Sequence, residues 1–521
     1  MDLALVGGKV ITMNPTHPLA EAVAIDGARI VKVGTNLEIT RLINKKTKII
    51  RLNGKTVLPG FIDTHIHVLD FGKMLSWLDL TNVRSIAELQ DAVKKRIEDS
   101  PKGSWILGRG WNEARFSDKH MPNRSDLDLF TPENPLILYH EIAQACLVNS
   151  KTLDLASIGE GTSDPQGGSI ERDTETDAPT GILRDSATDL VWRIVPELGE
   201  EELLEAAALA CAKIVQAGVT SVHWMVLERV ELAVAQRLHL QKRLPIRVNL
   251  IVPVNLIDAI QNFRSNDSLA LRVGGVIIAV DGYLAAKTAA LSQPYSDDLA
   301  HSGDLLATPE EIIAMAMKIS KTGFQVLVHA MGDKAVDVSL NAIEKAMDSA
   351  SSEEARVRLE QAALVDERLI ERIKRQKVIV SVQPLVISSE FSVWHALEHL
   401  GTIRARWLFP LQTFIENGVR LIGGSDCPME PLNPLLGIQA ALVRRHFPEE
   451  QVKIEEALRM YTIDAAYSSG EEGFKGSIEE GKLADLVVLS KDPLLTSPDA
   501  LNRIDVELTV VDGRIVYSKL D

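Results

Sequence analysis

The segment Pro59-Gly60-Phe61-Ile62-Asp63-Thr64-His65-Ile66-His67 decides how this chain folds and which chemistry it carries. It continues the apolar run 56–58, and such a run is typical of a buried β-strand. Residues two apart in a strand point to the same face, so His65 and His67 direct both imidazoles to one place. Imidazole nitrogen is a ligand that zinc and iron accept. The spacing predicts a metal site, although an isolated His-x-His pair is also found on half-exposed strands.

Downstream of this segment, short apolar runs alternate with amphipathic stretches of helical period. The helical patterns include residues 201–218, 309–323 and 365–376, and the apolar runs are residues 218–225, 247–254, 275–280, 324–330, 378–383 and 419–426. Strand and helix in series predict an α/β protein with parallel strands joined by crossover helices. About seven or eight such units suit a closed barrel as well as an open doubly wound sheet. Periodicity alone leaves both architectures open.

The two ends of the chain have a different texture, with short apolar runs separated by turn signals. Asp26-Gly27, Asn53-Gly54 and Asp512-Gly513 are typical hairpin turns. Because this texture occurs at both ends, we expect one small β-sandwich domain built from residues 1–58 and 475–521. Residues 71–189 fit the strand–helix repeat poorly and are predicted to be an α/β insertion after the first strand. Residues 59–70 and 190–474 then form the catalytic core.

Composition excludes several classes of function. The chain has 56 basic and 72 acidic residues, a net charge of −16, so it lacks the basic surface that nucleic acids and anionic membranes require. Three widely spaced cysteines indicate a reducing compartment rather than a disulfide framework. No signal segment and no apolar run of about 18 residues is present, so we expect a cytoplasmic protein. The expected partner is a small-molecule substrate, and the expected assembly is a homodimer.

Two further residues end apolar runs. His329 follows Val326-Leu327-Val328, and Asp426 follows the run that begins at residue 419. The carboxyl ends of barrel strands are where barrel enzymes place active-site groups, so both are candidates for metal binding or proton transfer. Each also has a simpler interpretation, since His329 would suit a core position and Asp426 would suit the N-cap of the next helix.

Together the motifs resemble those of the amidohydrolase superfamily, and within it the amidohydrolase-3 branch that includes N-substituted formamide deformylase. The resemblance rests on PGFIDTHIH (59–67), VLVHAMGD (326–333) and IGGSDCPMEPLNPLLGIQAAL (422–442), and is supported by GRGWNEARF (108–116), DGYLAAKTAALSQPYSD (281–297) and KGSIEEGKLADLVVLSKDPL (475–494). It implies a (β/α)8 barrel of the TIM type. It also implies a hydrolase that cleaves a C–N bond of a small amide, formamide or cyclic amide by metal-activated water.

The resemblance assigns roles residue by residue. The implied metal ligands are His65, His67, His329 and Asp426, and Asp426 is also the implied proton acceptor. Where relatives carry a second late histidine, this chain has Gln361. The segment 275–281, where many relatives carry a bridging lysine, has none. These departures predict one divalent metal ion, with zinc as the first choice and iron as the second.

The remaining candidates are assigned to the substrate or to support of catalysis. Gln361 is expected to hydrogen-bond the attacking water, and the predicted substrate-binding residues are Trp111, Gln144, Asp281 and Lys287. Lys287 is also the nearest candidate for the missing bridge. The acidic pair Glu471-Glu472, flanked by glycines, is predicted to be a solvated turn.

Two other functions stay open at this stage. Single-metal members of the superfamily include deaminases that attack an amidine carbon, but the glutamate that such enzymes often carry three residues after the histidine is Gly332 here. The substitution at Gln361 would also suit a non-catalytic binding or regulatory protein on a degenerate scaffold.

Overall fold

The computed structural model describes residues 1–141, 144–261, 263, 269–348 and 356–520. The apolar runs of the middle of the chain form strands that are mostly buried on both faces, as parallel strands covered by helices are. Eight of them pair in parallel and in chain order. These barrel strands one to eight are Phe61–Ile66, Val219–Met225, Arg247–Pro253, Leu271–Ala279, Gln325–Ala330, Arg358–Gln361, Ile379–Val382 and Leu421–Gly423.

Backbone hydrogen bonds join the two ends of this sheet and nearly close it. The N–H of Asp426 donates to the carbonyl of His65 at 2.8 Å, and the N–H of His67 donates to the carbonyl of Cys427 at 2.9 Å. Both bonds lie at the carboxyl ends of strands one and eight. The barrel is therefore confirmed, and the open sheet that periodicity left possible is excluded.

Helices follow the barrel strands and have recognisable sequence signals. The helix that begins at Pro309 has a capping box made by Thr308 and Glu311, and Asp366 caps the helix that begins at Glu367. The α-helices are Asn36–Thr40, Val68–Leu75, Ile86–Glu98, Ser125–Asp128, Ser150–Leu155, Asp189–Trp192, Glu200–Gln216, Arg229–Leu240, Ile257–Ile260, Pro309–Ser320, Asp333–Asp348, Glu367–Arg375, Pro384–Ser392, Ala396–Ala405, Leu411–Glu416, Pro434–Leu442, Ile454–Met460 and Ile463–Ser468. Among the described residues, none is long and apolar enough to cross a membrane.

Strands from both termini form two further sheets, as predicted. One has the order Arg29–Gly34, Ala22–Asp26, Leu3–Val6 and Lys48–Arg51, and the other has the order Arg514–Ser518, Val506–Val511, Leu486–Leu489, Thr56–Pro59, Lys9–Ile11 and Leu19–Ala20. Their inner faces share one apolar core, to which Leu5 and Ile25 contribute from the first sheet and Val57 and Leu486 from the second.

The chain divides into two compact units, residues 1–71 with 207–521 and residues 72–206. The second unit lies between barrel strands one and two in the sequence and has its own mixed sheet. The strand order there is Gly168–Arg172, Pro179–Asp185, Ala145–Val148, Leu136–His140, Ile106–Trp111 and Leu78–Asp79. The predicted domain boundaries at residues 58, 70, 189 and 474 stay a prediction.

The prediction of a solvated turn at Glu471-Glu472 is wrong. Glu471 is 3% exposed and pairs with the buried Lys475 at 2.8 Å. Glu472 pairs with Arg356 at 2.6 Å. The reason is that this segment packs beneath the amino ends of barrel strands four and six, where Arg272 and Arg356 bring positive charge.

Candidate metal centre

Three side chains converge at the carboxyl ends of barrel strands one and eight. The donor atoms of His65, His67 and Asp426 all lie within 4.8 Å of one another. Asp426 Oδ1 is 3.6 Å from Nε2 of His65 and 3.4 Å from Nε2 of His67. His65 is 5% exposed, and the other two are half-buried. The prediction that both imidazoles point to one place is therefore confirmed.

The position of Asp426 depends on unusual backbone geometry. Its φ is +59°, in the left-handed region that few non-glycine residues adopt. A Cβ atom on Gly424 would lie 2.7 Å from the backbone nitrogen of His65, so only glycine permits strand eight to approach strand one this closely. Positive φ values at non-glycine residues cluster at functional sites, where the surrounding structure holds them in place.

The electrostatics of the group suit a divalent cation. Burial opposes the charge of Asp426, but the hydrogen bond from His67 and the neighbouring imidazoles outweigh it and hold the pKa of Asp426 below its usual value. Nδ1 of His67 is buried and has no hydrogen-bond partner in the described structure. Two imidazoles and an ionised carboxylate form a donor set that zinc and iron accept, so the residues fit a metal ion.

His329 lies beside this group. Its ring is 6.0 Å from that of Tyr283, and burial together with the charge of His65 lowers the pKa of His329 to about 4. A neutral imidazole is the form that binds metal. Within the described ranges, however, its nitrogens are not among the donor atoms that lie within 4.8 Å of one another. Its role as a fourth ligand stays a prediction.

Gln361 ends barrel strand six in a γ-turn. Its φ is +68°, and the N–H of Ala362 donates to the carbonyl of Glu360 at 3.0 Å. The side chain is 3% exposed, and its Oε1 has no hydrogen-bond partner among the described residues. The amide is thus held under backbone strain at the end of the barrel where the candidate ligands meet.

Sequence reasoning missed the groups that hold His65. Nδ1 of His65 lies 3.0 Å from Oε2 of Glu360, and Oε1 of Glu360 pairs with Arg358 at 2.6 Å. Both residues belong to barrel strand six and are completely buried. A buried strand that contains an arginine and a glutamate two residues apart was a usable signal, because unpaired charges are almost never fully buried.

Asp281 and Lys287, two predicted substrate contacts, have structural partners. The carboxylate of Asp281 accepts hydrogen bonds from the backbone N–H groups of Ala290, Met331 and Gly332, at 2.8 to 2.9 Å. Burial raises the pKa of Asp281 to about 6 in spite of these bonds. Lys287 pairs with Asp297 at 2.8 Å. These contacts favour a role in shaping loops, and the predicted substrate contacts stay untested.

Trp111 and Gln144 belong to the inserted unit. Trp111 is 1% exposed, lies in an apolar core of that unit and donates through Nε1 to the carbonyl of Leu138 at 2.8 Å. Gln144 is exposed, and its backbone carbonyl accepts a hydrogen bond from the backbone N–H of Asp185. The surroundings of Trp111 are those of a packing residue.

Comparison with known proteins agrees with this geometry. The family model described as "Amidohydrolase family" matches residues 48–517. The chain belongs to this family. It is similar to YtcJ of Bacillus subtilis, with 33% identity over 98% of this chain and 99% of that protein. It is also similar to N-substituted formamide deformylase of Arthrobacter pascens, with 28% identity over 99% and 98% of the two chains.

The chain is also similar in structure to a solved protein. An uncharacterized metal-dependent hydrolase from Pyrococcus furiosus superposes on this amidohydrolase with a TM-score of 0.77 and 32% identity, covering 94% of this chain and 99% of that one. The protein is thus a metal-dependent hydrolase of the amidohydrolase family with a candidate site at His65, His67 and Asp426.

Proposed function

We propose that this amidohydrolase cleaves the C–N bond of a small amide, formamide or cyclic amide with one divalent metal ion. The observation that carries the proposal is the convergence of His65, His67 and Asp426 at the carboxyl end of the barrel. Zinc is the first candidate and iron the second, because a set of imidazoles with one carboxylate suits both.

The metal ion and the side chains would supply different parts of the reaction. A divalent ion bound at this site would supply the Lewis acidity that lowers the pKa of water towards neutrality. Asp426, ionised and half-buried, then accepts the proton of the attacking water and returns it to the leaving nitrogen. Gln361 offers its amide as a hydrogen-bond partner for that water, although an amide cannot carry a proton as an imidazole can.

Two observations support one metal ion rather than two. Barrel strand four ends without a lysine, and Lys287, the nearest substitute, is paired with Asp297. Strand six carries Gln361 where a second late histidine would bind. The relative named N-substituted formamide deformylase supports the choice of formamides within the wider class of amides.

The proposal is tested by screening the zinc-loaded protein against N-alkyl and N-aryl formamides, linear amides and lactams. We expect hydrolysis of at least one class, and we expect Asp426→Asn to lower kcat by about 10²–10⁴-fold, the range attributed to general acid–base catalysis. Asp91→Asn, at a side chain that is 77% exposed in the inserted unit, is the matched control and should leave kcat unchanged. Equal activity of Asp426→Asn and wild type would refute the role of Asp426.

A further inference from the structure

A chain of buried polar contacts crosses the interior of the barrel and ends on a candidate metal ligand. Arg358, which is 0% exposed, pairs with Glu360 at 2.6 Å, donates to the carbonyl of Thr64 at 3.0 Å, and lies 2.7 Å from Nδ1 of His223. Oε2 of Glu360 lies 3.0 Å from Nδ1 of His65. Strand six thus reaches strands one and two, neither of which is its neighbour in the sheet.

These contacts determine the hydrogen-bonding role of Nδ1 in each histidine. The carboxylate of Glu360 lies between Arg358, at 2.6 Å, and Nδ1 of His65, at 3.0 Å. Beside Arg358 the carboxylate of Glu360 is an acceptor, so Nδ1–H of His65 donates to it, and Nε2 of His65 is the nitrogen that faces Asp426, at 3.6 Å. Arg358 can only donate, so Nδ1 of His223 accepts, and His223 is neutral with its proton on Nε2.

Stability does not explain why these charges lie in the barrel. Burying an arginine and a glutamate costs several kcal/mol of desolvation for each ion, and well-packed apolar residues of similar volume are often as stable or more so. The pair does provide orientation. Arg358 holds both the carboxylate that contacts the His65 ring and the carbonyl of the residue that precedes His65.

We propose that Arg358 is a positioning residue for the metal ligand His65, acting through Glu360 and the Thr64 carbonyl. His223, on barrel strand two, accepts a hydrogen bond from Arg358 and holds it in place. This inference rests on the metal site proposed above. Glu360 orients His65 whether position 361 holds glutamine, as here, or histidine. Partners that orient a ligating histidine typically account for 10–100-fold in metal affinity.

The test measures zinc affinity of the full-length protein after its metal has been removed, by competition with a chromophoric chelator. Arg358→Met/Glu360→Gln removes both charges together, so that neither is left buried and unpaired. We expect this variant to bind zinc about 10–100-fold more weakly than wild type. Glu360→Gln alone keeps the shape of the side chain and an acceptor for His65, so its zinc affinity should fall by about tenfold, at the low end of that range.

The matched control is Lys475→Met/Glu471→Gln, which removes a buried ion pair at the other end of the barrel. It should leave zinc affinity unchanged. Unaltered zinc affinity in Glu360→Gln and in a folded Arg358→Met/Glu360→Gln variant would overturn the inference while leaving the proposed function intact. If the double variant does not fold, Glu360→Gln alone decides. Failure of the wild-type protein to bind zinc or iron would overturn the inference and the proposed function together.

Discussion

Asp426 contacts barrel strand one through both its backbone and its side chain. Its backbone N–H helps to close the barrel against strand one, and its carboxylate faces the two imidazoles of that strand. Asp426 makes both contacts with a left-handed φ of +59°. The same end of the barrel holds Gln361 at φ +68°, so two of the residues with proposed roles sit in strained backbone.

Gln361→Ala tests whether the strand-six amide takes part in catalysis. Removing one hydrogen-bonding group that assists the reaction should lower kcat by about 10²-fold with little change in KM, because the contact strengthens as the reaction proceeds. Metal content should stay the same, and Gln361→His, which restores an imidazole, is the companion variant and should retain one metal ion. A Gln361→Ala enzyme with the kcat of wild type would remove Gln361 from the mechanism.

Some residues of the candidate site could be predicted from local sequence patterns, and others could not. His65 and His67 could be predicted because a strand has a period of two, and Asp426 because it ends an apolar run. The spacing of Arg358 and Glu360 indicates paired buried charges, but it does not show that Glu360 contacts His65, 295 positions away. The burial of Glu471 could not be predicted from its flanking glycines, because one of its partners, Arg272, lies on barrel strand four, far away in the sequence.

At the scale of elements, the helix Pro384–Ser392 after strand seven carries an unusual buried acid. Glu390 is 1% exposed, and among the described residues its Oε2 has no hydrogen-bond partner. Burial raises the pKa of Glu390 from 4.5 to about 8. The side chain is therefore protonated at neutral pH.

This shift makes stability depend on pH. Between pH 4.5 and 8 the folded protein holds a proton on Glu390 that the unfolded chain releases, so its contribution to stability is lost as pH rises through this range. The loss is about 1.4 kcal/mol per pH unit. Glu390→Gln should remove this pH dependence. Between pH 5 and pH 8 the free energy of unfolding of wild type should therefore fall by about 3–4 kcal/mol relative to that of the variant. Urea titrations at both values measure this difference, and parallel pH profiles would show that Glu390 is ionised when folded.

Strand and helix periodicity could predict the parallel α/β core, but not its closure. Closure depends on the contact of strand eight with strand one, where Gly424 leaves room for the backbone of His65. The hairpin turns predicted at Asp26-Gly27 and Asp512-Gly513 are confirmed. The hairpin predicted at Asn53-Gly54 is wrong, because the strands on its two sides belong to different sheets.

At the scale of the whole molecule, the similarity to relatives covers nearly the full chain. A fold of this kind hosts many reactions, so the proposed C–N chemistry depends on the site rather than on the barrel. The homodimer, expected because dimers are the commonest soluble assembly, stays a prediction, as does the cytoplasmic location.

Elemental analysis of the purified protein tests the central claim most directly, with His65→Ala/His67→Ala as the control. The expected result is about one zinc or iron per chain, absent from the control, as a site of imidazoles and a carboxylate requires. About two ions per chain would mean that a bridging group exists, and Lys287 would be the first residue to examine. No metal in the wild-type protein after reconstitution, or equal metal in the control, would contradict the account.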